Sequence, residues 1–405
     1  MEFIKKMEEM VKNEEVSGIS AFIVKNNEVI FNGFSGYSFI DGEKLEKIKK
    51  NTKFRIASIS KLVTAIGFMK LVEEKKVSLE EDVSKYLGFE LRNPNFPSII
   101  ITPEMLLSHT SSLRDSNNYA APMPYSMGDF FCEGGAFYED GGHFSSDENE
   151  RPREYFTYAN INFSLIASII ENVSQIRFDQ YMKKNIFDVL SMDASYNVRD
   201  FGVNIDDVGV LYKKRNGEWI PQVDDYRGKI PKVCWHNDID EHYGNYSLYE
   251  YNIGSNGTLF SPYGGLRVSA EDLGKIMIML MNQGKYKGKQ FLKEETIKLM
   301  EKPYWIYNGN NGNSENELMC CYGMSVHHLT GIYKDKYFKD HKNNLMGHFG
   351  IGYGLLSGMF YNSKDKTGIV YLIPGRGKGF KEIKGKYTAF TTLEENLFET
   401  LNEIL

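Results

Sequence analysis

Strand-like apolar runs stand at both ends of this chain while helical patterns fill its middle, and that distribution most restricts what it can fold into. Near the N-terminus, Ile19-Ser20-Ala21-Phe22-Ile23-Val24 runs through a turn at Asn26-Asn27 into Val29-Ile30-Phe31 and a Gly-punctuated continuation past Tyr37 and Phe39. Near the other end, Leu355-Leu356-Ser357-Gly358-Met359-Phe360-Tyr361, a polar turn over 362–368 and Ile369-Val370-Tyr371-Leu372-Ile373 read as a second hairpin. A last helix is spaced by Leu393, Leu397, Phe398, Leu401 and Ile404, with Thr392 and Glu395 placed as a capping box. Residues 58–200 and 262–302 are mostly helical in pattern, for instance Phe163–Val173 and Asp272–Leu280. The expected fold class is α+β (an α/β sandwich): an antiparallel sheet from both chain termini flanked by helices, with an inserted mostly helical region. The boundaries are a sheet region over 1–57 and 303–405 and a helical region over 58–302, within one unit spanning 1–405. Asn216-Gly217 marks a peripheral hairpin, and the aromatic, acidic and Gly-rich stretch 117–156 reads as a long excursion roofing a cleft.

With 405 residues and a net charge of −6, the chain can bury a large core and carries no long basic block, so nucleic-acid binding has no support. The opening segment, Met1 to Met10, is amphipathic and charged, without the apolar stretch of a secretory leader, and no apolar run is long enough to span a bilayer. The expectation is a cytoplasmic protein, or an extracytoplasmic one if a leader has been removed, with no transmembrane segment. Cys132, Cys234, Cys320 and Cys321 lack metal-site spacing and read as buried thiols. His236, Asp238, Asp240 and His242 share one polar loop without the spacing of a ligand set, so neither a metal nor another cofactor is expected.

Ser58-Ile59-Ser60-Lys61 places a hydroxyl and an amine one helical turn apart, on one face, so Lys61 is positioned to take a proton from Ser58. Leu62, Ala65, Ile66, Met69, Leu71 and Val72 continue an amphipathic or largely buried helix with Ser58 in its first turn, where unpaired N–H groups favour negative charge. The bland alternative is an N-cap serine. The same tetrapeptide spacing at Ser363 and Lys366 lies in a polar turn and reads as a hairpin tip. Tyr158-Ala159-Asn160 precedes another apolar helix, so its polar groups sit at an element boundary; the matching Tyr243-Gly244-Asn245 lies in a polar loop. Gly347-His348-Phe349-Gly350-Ile351-Gly352-Tyr353-Gly354 precedes a strand, where its glycines permit close approach and His348 offers a hydrogen bond near neutral pH.

Taken in order, the chain resembles the serine β-lactamase and penicillin-binding-protein superfamily, particularly its class C-like esterase, D-aminopeptidase and DD-peptidase branch. The resemblance rests on FRIASISKLVTA at 54–65, ITPEMLLSHTSSL at 101–113, YAN at 158–160, YGGLRVSAEDLGKIM at 263–277 and GHFG at 347–350. It implies Ser58 as acylated nucleophile, Lys61 as its base, Tyr158 as a sharer of proton traffic and Asn160 as orienter of lysine and substrate. It puts His348-Phe349-Gly350 in the place of Lys-Thr-Gly, with the backbone N–H groups of Ser58 and Ile351 as oxyanion hole.

Two departures matter. The literal Lys366-Thr367-Gly368 falls in the turn after the strand that should carry the motif and is treated as a decoy. His348 in place of Lys removes a permanent cation, which resembles esterases and aminopeptidases of the branch more than efficient β-lactamases. Gly375-Arg376-Gly377-Lys378-Gly379 is not a phosphate loop, and Arg376 is a candidate for binding a substrate carboxylate instead. The implied function is a metal-independent serine hydrolase acting on an ester, amide or β-lactam-type bond of a small-molecule or peptide-like substrate. The alternative is a non-turnover protein that binds a penicillin-like or peptidoglycan-like ligand on the same fold. Oligomeric state is left open.

Overall fold

The computed structural model describes residues 2–231, 248–339, 344–377, 384–402 and 404. Cys234, the loop with His236, Asp238, Asp240 and His242, the Tyr243-Gly244-Asn245 copy, and Lys378 and Gly379 lie outside the described residues.

The sheet is the expected one. Its strands are β1 (Gly18–Lys25), β2 (Glu28–Asp41), β3 (Lys44–Lys47), β4 (Trp305–Ile306), β5 (Cys321–Tyr322), β6 (His327–Leu329), β7 (Leu345–Gly352), β8 (Leu355–Asn362) and β9 (Thr367–Ile373). They are ordered β4-β5-β6-β7-β8-β9-β1-β2-β3, so the first and last of these strands in chain order are neighbours inside the sheet. Each adjacent pair is antiparallel; Ile23 faces Ile369 across β1 and β9, and Gly350 faces Ser357 across β7 and β8. The turns agree with their residues. Asn26 and Asn27 take φ values of 52° and 65°, and Asn216 and Gly217 take 50° and 88°, the left-handed pairs that match a hairpin's twist.

Strand β1 is buried on both faces, which is why its sequence is almost continuously apolar rather than alternating. Ile19, Ala21 and Ile23 pack with Phe3, Met7 and Met10 of α1 (Glu2–Lys12) and with Leu397, Phe398 and Leu401 of the terminal helix. Phe22 and Val24 point the other way, into a core shared with α2 (Ile59–Glu73), α3 (Ile161–Ser174) and α4 (Ala270–Met281). The terminal helix, α5 (Thr392–Asn402), begins at the residue expected to cap it, one position earlier than the spacing implies. Thr391 rather than Thr392 caps it: Thr391 Oγ1 accepts the Glu394 N–H at 3.3 Å, and Glu394 Oε2 accepts the Thr391 N–H at 3.0 Å. The register is decided by Glu394, which is buried and accepts the Tyr371 hydroxyl at 2.6 Å.

Helix α2 is buried on nearly every side, so it belongs to the second of the two readings its sequence allowed. Cys320 and Cys321 are buried and free, while Cys132 is half-buried and free. Among the described residues no helix is long and apolar enough to cross a membrane.

Candidate active site

The chain enters α2 through a strained corner. Ala57 has φ 49°, and Ser58 follows in helical conformation at φ −66°, ψ −10°, without the side-chain bond of an N-cap. The capping alternative for Ser58 therefore does not describe its hydroxyl. Instead Oγ stands 3.1 Å from Lys61 Nζ, half-buried at the mouth of α2.

Lys61 is wholly buried, and its nitrogen meets Asn160 Oδ1 at 2.7 Å and the Tyr263 carbonyl oxygen at 3.1 Å as well as Ser58. Two of these three partners can only accept. In the ammonium form the nitrogen donates to all three; in the neutral form its two N–H groups go to Asn160 and Tyr263, which leaves the lone pair to the Ser58 hydroxyl. Burial brings the Lys61 pKa down to about 7, opposed by the Asp115 carboxylate. The amine is thus available as a base at neutral pH.

Asn160 is held the right way round by a residue that sequence reasoning missed. Asp115 accepts the Asn160 side-chain N–H at 2.8 Å, and the backbone N–H groups of Asn160 and Ile161 at 3.0 and 2.9 Å. A carboxylate cannot donate, so Nδ2 must face Asp115 and Oδ1 must face Lys61. The same carboxylate closes the N-terminus of α3. Asp115 lies 45 positions before Asn160 in a non-periodic stretch, two residues past the end of the segment 101–113 used above, and no local pattern marks it.

Tyr158 lies over the amine, with Lys61 Nζ 4.6 Å from its ring centre. Burial pushes its phenol well above the ordinary tyrosine range, which keeps it protonated and able to donate a hydrogen bond. Its oxygen is buried and has no hydrogen bond among the described residues, although the Ser58 hydroxyl is near enough to oppose part of the shift. Behind it stacks a second missed residue, His109, at 4.4 Å between ring centres. His109 Nδ1 accepts the Ala159 N–H at 3.1 Å and its carbonyl accepts the Thr157 N–H at 2.9 Å, which clamps the Tyr158 turn from beneath.

His348 is placed differently from expectation. It is fully buried, with Nδ1 2.6 Å from the Phe349 carbonyl and Nε2 2.9 Å from the Tyr322 hydroxyl. The carbonyl can only accept, so Nδ1 carries the proton and Nε2 accepts from Tyr322. Its hydrogen-bonding capacity is spent inside the protein, and burial, with Lys61 nearby, lowers its pKa to about 3. His348 is a neutral wall behind Tyr158, 6.2 Å between ring centres, and does not line the cavity.

The rest of the β7 motif is at the site. A Cβ on Gly350 would collide with the Ile56 carbonyl and stand 3.1 Å from the Ser58 backbone nitrogen, so only glycine lets this strand lie against the corner that carries Ser58. Phe349 and Ile351 line a cavity of about 320 Å³ together with Ser58 and Tyr158. Arg376 does not line it: Gly375–Arg376 is a short strand running parallel to Leu211–Arg215 in a separate small sheet. The carboxylate-binding role considered for Arg376 is therefore not supported by its place. Lys366-Thr367-Gly368 begins β9 at the far end of the sheet, with Gly368 facing Tyr361 whereas Gly350 faces Ser357.

The excursion over 117–156 does not roof this cavity. It is tied to the helical side, where Glu139 accepts from Ser116, Asn117 and Asn118, the Met127 N–H donates to the Ser255 carbonyl at 2.7 Å, and Tyr119 packs on Tyr263. The cavity walls come instead from 315–319 and 384–394. Among the described residues no group of three or more His, Cys, Asp or Glu could hold a metal ion.

A sandwich with this sheet order and a lysine-paired serine at the head of a buried helix define the class of protein, that of the serine β-lactamase fold. The chain belongs to the beta-lactamase family, whose model matches residues 3–392. Protein flp of Staphylococcus aureus (strain MRSA252) is 30% identical over 197 residues, 46% of this chain and 36% of that protein, so the chain spans only about a third of that relative's length. Among solved structures, the octameric penicillin-binding protein homologue from Pyrococcus abyssi superposes with a TM-score of 0.67 at 24% identity, over 94% of this chain and 74% of that one. D-amino acid amidase from Ochrobactrum anthropi SV3 superposes with a TM-score of 0.66 at 17% identity, over 100% and 97% respectively. At these identities the two structures speak to the fold.

Proposed function

We propose that the protein is a serine hydrolase that cleaves an ester or amide bond through an acyl-enzyme on Ser58. One observation carries this reading: the wholly buried Lys61 amine, its pKa lowered to about 7, lies 3.1 Å from Ser58 Oγ, while its other two contacts, Asn160 Oδ1 and the Tyr263 carbonyl, can only accept. In the first half-reaction the Ser58 proton passes to Lys61 as Oγ bonds to the substrate carbonyl carbon. The carbonyl oxygen takes up the negative charge, held by the N–H groups of Ser58 and Ile351. The bond to the leaving group then breaks as that group takes a proton from Tyr158, which is reprotonated by Lys61. In the second half-reaction water gives a proton to Lys61 as its oxygen bonds to the acyl carbon; the bond to Ser58 Oγ then breaks as Lys61 returns that proton to Oγ, which frees the acid and restores the serine. The family membership and a fold shared with a D-amino acid amidase agree with hydrolysis of this kind.

The test is intact-protein mass spectrometry after exposure to a fluorophosphonate, a penicillin and a p-nitrophenyl ester, with Ser58→Ala as control and turnover followed in parallel. A Ser58-dependent adduct with ester turnover is expected. A long-lived penicillin adduct without turnover of any ester would replace this reading with that of a penicillin-binding protein, and labelling undiminished in Ser58→Ala would remove Ser58 from the mechanism.

A further inference from the structure

The cavity beside Ser58 is open to solvent, with buried apolar side chains along one part of its wall and polar ones along the rest. Leu318, Met319, Phe349 and Phe390 are 2–8% exposed, and the last two rings meet edge-on at 5.7 Å. The rim is formed by exposed Glu315, Asn316 and Lys384. A carboxyl group is sunk into the wall: Glu394 is 1% exposed, and its oxygens accept from the Tyr371 hydroxyl at 2.6 Å and from Thr391 N and Oγ1 at 3.0 and 2.9 Å. An anionic substrate group placed there would lose its water against the buried Leu318, Met319, Phe349 and Phe390 side chains.

We propose that this cavity holds the acyl part of the substrate and that the acyl group is apolar, uncharged and built around one aromatic ring: the substrate class is aryl-alkanoyl esters or amides. The inference rests on the acyl-enzyme reading above. Size supports it, since a dry cavity of roughly 150 Å³ takes one benzene, and about 320 Å³ accommodates a ring with a short alkyl tether. Position supports it as well. The acyl group stays on Ser58 through both half-reactions, and a pocket walled by 315–319, β7 and the start of α5 suits the portion that need not leave first.

The experiment compares p-nitrophenyl acetate, 4-phenylbutyrate and the glutarate monoester, which share a leaving group. The kcat/KM for phenylbutyrate should exceed that for acetate by at least about tenfold, the discrimination a well-filled apolar pocket supplies, and glutarate should fall below acetate. Met319→Trp, which fills the space beside the apolar wall, should reduce the phenylbutyrate-to-acetate ratio by about tenfold; a ratio taken within one protein does not depend on how much of it is active. Should that variant not fold, the wild-type protein gives the same answer through Ser58 labelling rates with a phenylbutyl and a methyl fluorophosphonate. Equal rates for the two probes with a flat ester series, or a preference for glutarate, overturn the inference while leaving the Ser58 acyl-enzyme standing. No labelling of Ser58 by either probe overturns both.

Discussion

Replacing Lys61 by Met should change how stability depends on pH, in a direction set by its burial. In the folded protein Lys61 has a pKa of about 7, against 10.5 when unperturbed. Between those values the unfolded chain holds a proton that the folded chain has released, so wild-type stability gains from Lys61 as pH rises, by up to about 1.4 kcal/mol per pH unit. Working the linkage through, the charged form's burial costs about 4 kcal/mol at pH 7 and about 2 kcal/mol at pH 9. Lys61→Met has no such group. The difference in unfolding free energy, wild type minus Lys61→Met, should therefore rise by about 2 kcal/mol from pH 7 to pH 9. Lost hydrogen bonds to Asn160 and Tyr263 offset the difference by a constant and leave its slope intact. Urea unfolding of both proteins at half-unit pH steps measures it. A difference that stays flat over this range would mean that Lys61 keeps its proton when folded, and the lone pair assigned to Ser58 would not exist.

Three further outcomes follow from the same geometry. The kcat/KM for ester hydrolysis should rise with unit slope below about pH 7 and level above it, and His348→Gln should not move that inflection because His348 is neutral throughout; an inflection that vanishes with His348 would return it to the proton path. Asp115→Ala removes the acceptor that orients Asn160, a hydrogen bond to a charged group worth roughly 1.5–3 kcal/mol, so kcat/KM should fall roughly ten- to hundredfold with the ester KM little changed; wild-type turnover would show that Asn160 needs no orienter. Gly350→Ala drives a methyl into the Ile56 carbonyl and toward the Ser58 nitrogen, which should cost about 1–3 kcal/mol of stability and most of the Ser58 labelling rate; a fully active variant would show that β7 does not bear on the corner that carries Ser58.

What could be read from the residues was whatever local pattern encodes. Apolar runs of strand length at both ends, with Asn-Asn and Asn-Gly at turn positions, sufficed for an antiparallel sheet joined from the termini, because turn chemistry and periodicity are properties of neighbouring residues. Ser58, Lys61, Tyr158 and Asn160 were legible because two of them share one helical turn and the others sit at the mouth of a second helix. Tertiary structure decided the rest. Asp115 holds Asn160, and His109 holds the Tyr158 turn, across 45 to 50 positions of chain, through a few hydrogen bonds and one ring contact that leave no periodic trace. His348 became a buried neutral wall because Tyr322 and the Phe349 carbonyl take up its two nitrogens, and burial, which no local pattern reports, sets its charge. The cap of α5 moved from Thr392 to Thr391 because Glu394 had a buried tyrosine to reach. The cavity found its walls in 315–319 and 384–394 rather than 117–156, because which loop overhangs Ser58 depends on where the sheet and helices place the loop ends. Sequence spacing specifies which groups can meet within a turn of helix or across a hairpin; the packing of distant segments specifies which of them are desolvated, and desolvation brings the lysine's pKa down to about 7.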